Sequence, residues 1–250
     1  MTFWIPEAIE HNRYLLRASQ AGCVGIPGRY AMMGGVTSAA AITAMEQTTG
    51  KQLLWSATQF VSHAPAETDF DIEVNLLKEG GRTVQAQATL RDDDRVVLIT
   101  SAALGMLEGD RFFQYCEPMA WQAPESCPLK GNEGLGIAGD LFDQIERRTA
   151  AQSDDEGHES LWLRPLENNG SSSGLLAVLG DFLPGAVSMT RGASSVDNTL
   201  RVHSLERSRW FLAETRIQAI HGRLYQGTMN IFSETGSLLA VASQTGIRPK

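Results

Sequence analysis

One carboxylate stands out for the company it keeps. Asp181 lies in the run Leu175-Leu176-Ala177-Val178-Leu179-Gly180-Asp181-Phe182-Leu183, where every neighbour is apolar or glycine. An ionised carboxylate in such surroundings is strongly disfavoured without partners. Burial raises its pKa toward the range of a general base working near neutrality. Next to Pro184-Gly185 the same residue also reads as a helix end turned to solvent, and the segment alone leaves both readings open. Gln244 poses the same question. It follows the mostly apolar stretch 238–242, where an amide either finds hydrogen-bond partners or sits at an exposed edge near the C-terminus.

Other patterns with chemical reputations fail on context. Gly134-Leu135-Gly136-Ile137-Ala138-Gly139 has the spacing of a dinucleotide loop, but no strand precedes it and no βαβ unit surrounds it. Gly170-Ser171-Ser172-Ser173-Gly174 has the spacing of a serine-hydrolase elbow, which needs a strand running straight into the turn. Here the polar Glu167-Asn168-Asn169 comes first, so a serine cap on a helix is the better account. The five histidines form no close ligand pair, no histidine stands near Asp181 as a hydratase would require, and the three cysteines lie at no metal-site spacing. No metal and no cofactor is therefore expected.

Bulk properties narrow the field further. A net charge of −8 argues against a nucleic-acid surface, which depends on cations. The longest apolar runs fall far short of a bilayer span. The N-terminus lacks the pattern of a secretory signal, and the unpaired cysteines suit a reducing compartment, so a cytoplasmic location is expected.

The elements that must position Asp181 and Gln244 emerge from an internal repeat. Sliding the segment 55–105 along by about 140 residues lays Leu98-Ile99-Thr100-Ser101-Ala102-Ala103-Leu104-Gly105 on Leu239-Ala240-Val241-Ala242-Ser243-Gln244-Thr245-Gly246. In that alignment Gln244 falls on Ala103, and Asp181 on Ala40 or Ala41. Polar side chains are kept in one half and replaced by alanine in the other, as in a duplicated chain that retains one site. Phe70, Ile72, Val74 and Leu76 alternate with polar residues, as do Val84, Ala86, Ala88 and Leu90, and 96–104 continues the run. The second half repeats this over 210–220, 223–233 and 237–245.

Ahead of each run lies one helix. Gly34-Gly35-Val36-Thr37 opens 38–47, which stops at Gly50, and a counterpart runs 174–183. Both are apolar around most of the circumference and so are buried. A buried helix wrapped by a curved antiparallel sheet is the hotdog plan. The fold class expected is α+β, a double hotdog of two tandem domains, 1–107 and 136–250, joined by a linker over 108–135.

The chain then resembles the acyl-CoA thioesterase II family of double-hotdog hydrolases. The resemblance rests on Met33-Gly34-Gly35, Gln59-Phe60-Val61-Ser62 with Ala64-Pro65, and Gly180-Asp181-Phe182-Leu183-Pro184. Ser195-Val196-Asp197 and Ala240-Val241-Ala242-Ser243-Gln244-Thr245-Gly246 complete it, in family order across nearly the whole chain. It implies hydrolysis of acyl-CoA through an activated water, with the catalytic roles falling on Asp181, Ser195 and Gln244. Position 195 carries Ser where the family has Thr, and Val36 stands where a Gln usually follows the glycine pair. Gly34 and Gly35, at a helix N-terminus rich in free N–H groups, are the expected substrate-binding pair and oxyanion donors. Self-association to a homodimer is also implied. A non-catalytic acyl-CoA or lipid-binding double hotdog is the alternative reading.

Overall fold

A computed structural model of the chain describes residues 2–26, 29–106, 113–119, 121–132, 136–167 and 170–249. The first half contains β1 (Glu7–Glu10), β2 (Arg13–Leu16), β3 (Cys23–Ile26), β4 (Arg29–Met32), helix α1 (Gly34–Thr49), β5 (Gln52–Phe60), β6 (Phe70–Glu79), β7 (Thr83–Asp92) and β8 (Arg95–Gly105). The second half contains a single turn α2 (Leu141–Gln144), β9 (Ile145–Ser153), β10 (His158–Pro165), helix α3 (Ser173–Gly180), β11 (Ser194–Val202), β12 (Phe211–His221), β13 (Leu224–Ser233) and β14 (Leu238–Ile247).

Alternation does what it should in the long strands. Phe70, Ile72 and Val74 are buried while Asp71, Glu73 and Asn75 between them are exposed. All strands except the β3–β4 hairpin join one twelve-stranded sheet in the order β1-β2-β6-β7-β8-β5-β11-β14-β13-β12-β10-β9. Read inward from either edge, the order of elements is the same, so the repeat is a repeat of architecture. The two hotdog units meet at β5 and β11, which pair antiparallel with Asn198 opposite Thr58 and Thr199 opposite Ala57.

Helices α1 and α3 lie against each other on one face of this sheet. Ten residues of α1 are buried, on every side of the helix, and the run Ala39-Ala40-Ala41 keeps it thin enough to be wrapped. Gly50 closes it in the left-handed conformation, φ 64°. Ser172 caps α3, its hydroxyl accepting the Leu175 N–H at 3.1 Å, so the Gly170–Gly174 pattern is a helix start. α3 is shorter than its sequence pattern suggests. It ends at Gly180, and a 3₁₀ turn over Leu183–Gly185 follows. Of the dinucleotide-like pattern, Gly134 and Leu135 fall outside the described residues, and the rest leads only into the four-residue α2.

The connection between the halves docks on the other face of the sheet. Trp121 packs edge-on against Trp162 at 5.6 Å, and the Trp162 indole donates to the Gln122 carbonyl at 2.9 Å. Trp162, Trp210, Leu212 and Phe232 form a second, smaller core beneath it. Among the described residues no helix is long and apolar enough to cross a membrane.

The ladders correct the alignment of the two halves. Ser195 opposes Gly246 and Asn198 opposes Gln244, while Leu53 opposes Leu104 and Ser56 opposes Ala102. Each inner strand carries a bulge at the same point, between Ser195 and Asp197 and between Leu53 and Trp55. The counterpart of Gln244 is therefore Ala102 and not Ala103. A slip of one residue turns a strand position to the opposite face, and Gln244 and Ala102 are both buried while Ala103 is half-buried.

Candidate functional site

Asp181 sits just beyond the last turn of α3, with φ −92° and ψ 5°, and is 6% exposed. This is the negative end of its own helix, a poor place for a carboxylate. Its charge is met from the other half: Oδ2 accepts the Gly35 N–H at 2.6 Å, in the first turn of α1, where the helix dipole is positive. Oδ1 accepts Gln244 Nε2 at 2.5 Å from β14, and Ser195 Oγ of β11 lies 3.5 Å away. Gln244 Nε2 also donates to Ser195 Oγ at 2.8 Å. Burial drives the Asp181 pKa up to about 6, and the bonds from Gly35, Gln244 and Ser195 hold it from rising further.

Local structure explains each position. The bulge between Ser195 and Asp197 breaks the alternation of β11 and leaves Ser195 at the rim of the sheet, facing the helix end. Asp197 pins that bulge by accepting the Thr245 N–H at 2.7 Å. Gly35 is required by close approach. A Cβ there would stand 2.7 Å from that of Asp181 and 3.0 Å from the Ala177 carbonyl oxygen. At Gly34 a Cβ would meet the Phe60 ring at 2.9 Å.

A cavity of about 550 Å³ opens between the halves onto this cluster, with Asp181, Ser195 and Gly34 in its wall. Met32, Met33, Phe60 and Phe182 give it a largely apolar lining. One stretch of wall is polar. There Lys130 pairs with Glu159, whose carboxyl is pushed up by burial and drawn back by the lysine. Gln244, 1% exposed, lies one layer behind the wall, holding Asp181 and Ser195 from the rear. Gly35 likewise lies behind it, with its N–H committed to Asp181.

The sequence-derived trio Asp181, Ser195 and Gln244 is thus brought together from three separate elements, with Gly35 as a fourth contact. Sequence reasoning missed Tyr225. Its hydroxyl donates to Gln244 Oε1 at 3.0 Å, and its ring lies over Gly246, its partner across the β13–β14 ladder. A tyrosine facing a glycine is a register fact, legible once the pairing is known. Among the described residues no three His, Cys, Asp or Glu side chains gather as a metal site requires.

Comparisons with known proteins bear on the family and the fold. Residues 26–105 match a family model described as the acyl-CoA thioesterase N-terminal domain, and residues 116–248 match the acyl-CoA thioesterase C-terminal domain. A thioesterase candidate from Novosphingobium aromaticivorans superposes with a TM-score of 0.92 at 27% identity, covering 98% of each chain. The tesB protein of Mycobacterium avium subs paratuberculosis superposes at 0.80 with 20% identity, over 100% of this chain and 97% of that one. The acyl-CoA thioesterase II TesB2 of Mycobacterium marinum does so at 0.78 with 17% identity, over 99% and 96%. At those lower identities the likeness is one of fold. No curated protein matches the chain by sequence.

Proposed function

Because the chain belongs to the acyl-CoA thioesterase family, both of whose domain models it matches, we propose that it hydrolyses acyl-CoA to the free acid and coenzyme A, with Asp181 as general base. The observation that carries this reading is the convergence of Asp181, Ser195 and Gln244 within 2.5–3.5 Å at the wall of an apolar cavity. A carboxylate held near pKa 6 is mostly ionised at neutral pH yet basic enough to take a proton from water.

In the proposed reaction the water oxygen attacks the thioester carbonyl carbon as Asp181 takes one of its protons. Ser195, in the cavity wall beside Asp181, orients that water, and Gln244 fixes both side chains from behind. Charge develops on the carbonyl oxygen near the N-terminal end of α1, where Gly34 faces the cavity and the helix dipole is positive. Collapse of the tetrahedral adduct breaks the C–S bond. The departing thiolate recovers the proton from Asp181, giving thiol and carboxylic acid with no covalent enzyme intermediate. The Gly35 N–H, bonded to Asp181, serves by holding the base and not as a donor to the oxyanion.

The two-domain boundary fits this reading, since the first half supplies the glycine pair and the second the base. The test is thiol release from acyl-CoAs of graded chain length, with Asp181→Asn as the control. Release that the asparagine variant abolishes supports the proposal. Tight binding of acyl-CoA without release by the unaltered protein would overturn it in favour of a carrier.

A further inference from the structure

The side-chain amide of Gln244 must point one way for the site to work, and packing alone cannot choose the way. An amide and its flipped form have the same shape, so hydrogen bonds decide. A carboxylate only accepts, which requires Gln244 Nε2 to face Asp181 Oδ1, as it does at 2.5 Å, and leaves Oε1 on the far side. There the Tyr225 hydroxyl donates to it at 3.0 Å. Flipped, the amide would set oxygen against carboxylate oxygen and leave the tyrosine hydroxyl facing an NH₂ group.

The ladder shows that this arrangement is built into one half. Tyr225 pairs with Gly246, and the corresponding pair in the first half is Val84 with Leu104. A Cβ on residue 246 would lie 2.3 Å from the tyrosine ring, so glycine there is what lets the ring cross the strand and reach Gln244. The change from Ala102 to Gln244 thus comes together with Val84 to Tyr225 and Leu104 to Gly246. A glutamine kept for bulk would need neither neighbour. Tyr225 is 1% exposed and does not line the cavity, so it touches no substrate. Burial, then the carboxylates of Asp181 and Asp197, push its own ionisation well above neutrality, and it remains a donor.

We infer that Tyr225 is a positioning residue for the hydrolytic site. It locks the Gln244 amide in the orientation that donates to Asp181 and Ser195, and Gly246 exists to clear its path. The inference rests on the thioesterase reading for its kinetic consequence, though not for its structural one. Besides Asp181, the ionisable groups around the cluster are Asp197 on β11, Tyr225 on β13, and His63, Lys130, Arg147, Glu159 and Arg191 in the cavity wall.

The experiment compares the unaltered protein with Tyr225→Phe, alone and in a Gln244→Ala background. The Asp181 carboxyl carbon is titrated by NMR, its resonance assigned by loss in Asp181→Asn. Acyl-CoA turnover is followed in parallel. Freed of its lock, the amide spends time flipped, Asp181 loses a donor to its charged form, and its titration midpoint rises by about one unit. The kcat falls about tenfold at unchanged KM, the acid limb of its pH profile moves up with the titration, and the change has no further effect when Gln244 is already alanine. An unmoved midpoint with unchanged kcat would overturn the inference, as would an equal loss in the Gln244→Ala background. Should the phenylalanine variant misfold, Tyr225→Val with Gly246→Leu, the first half's own pair, reads the same shift. The NMR arm needs no turnover, so a protein that cleaves no thioester would sink the function and still decide the tyrosine.

Discussion

The two halves share a strand order and differ in most of their side chains, a few of which make the site. Both inner strands carry the same bulge, yet one presents Ser195 at that point and the other the fully buried Leu53. The bulge is therefore a property of the duplicated architecture, and Ser195 exploits a kink that was there without it. The same holds along the neighbouring strand, where Gln244 stands at the position that Ala102 takes in the first half. The helix starts differ as well. Gly35 lets α1 approach the end of α3, whereas the start of α3 is stoppered by Trp4, whose indole nitrogen lies 2.5 Å from where a Gly174 Cβ would be. Trp4 is itself buried. A site needs a base and an open volume together; at the second location Trp4 takes the space, and Thr43, 3.2 Å from that Gly174 Cβ, is no base.

The largest expected effect comes from removing the group the first half lacks. Asp181→Asn keeps the shape and cannot accept a proton, so turnover should fall about 10³-fold. In the unaltered protein kcat should rise with pH through about 6 and level off above it. The same substitution sharpens the comparison through stability. The folded-state pKa is raised from 3.8 to about 6, so the favourable contribution of Asp181 is complete below pH 3.8 and lost as pH rises through 6. At pH 8 the asparagine variant should melt higher than the parent, with an unfolding free energy larger by about 3 kcal/mol at most, and the gain should vanish by pH 4. A variant that melts lower at pH 8 would show that Asp181 is not a strained buried charge.

Next in size is Gly35→Val. The side chain has no room between α1 and Asp181, so the base shifts, turnover drops about 10²-fold, and overpacking costs about 1–3 kcal/mol in denaturant titration. Full activity with normal stability would remove the first half from the site altogether. Ser195 is a gentler test. Threonine, the residue the family resemblance implies, should support near-parental rates, while alanine deletes the hydroxyl that bonds Asp181 and Gln244 and should cost about tenfold. Equal rates for the two would make Ser195 a turn residue only.

The smallest effect on rate is expected in the silent half. Ala102→Gln puts an amide where Gln244 sits in the other half, without an Asp181, Ser195 or Tyr225 to meet it. In an Asp181→Asn background it should restore no turnover, and the unsatisfied buried amide should lower stability by about 1–3 kcal/mol. Any recovered activity would mean that Trp4 does not stopper that location.

Much of this molecule is legible in the order of its residues, for identifiable reasons. The long strands β6–β8 and β12–β14 are half-buried antiparallel strands, whose period of two is written directly into Phe70, Ile72 and Val74. A helix buried on all sides needs the small apolar run of α1. Asp181 is conspicuous because a carboxylate is rare in such a setting. The inner strands β5 and β11 were less legible. Their bulges reset the alternation, and Ser56, Thr58 and Asn198 turn polar groups inward where a core pattern would have apolar ones. The alignment of Gln244 to Ala103 failed for a related reason, since similarity of short apolar strings cannot distinguish neighbouring residues that face opposite ways.

What tertiary structure alone decided is how the pieces face each other. The sequence by itself determined two hotdog units, their elements and one surviving set of polar side chains. Antiparallel packing of α1 on α3 carries the Gly35 N–H to Asp181 across 146 positions of chain. It also commits that N–H to the Asp181 carboxylate, where the sequence suggested a donor to substrate. The pairing of β13 with β14 sets Tyr225 over Gly246. Both are long-range contacts fixed by register and helix crossing. Local periodicity reports which face a residue takes, but not which residue waits on the other side.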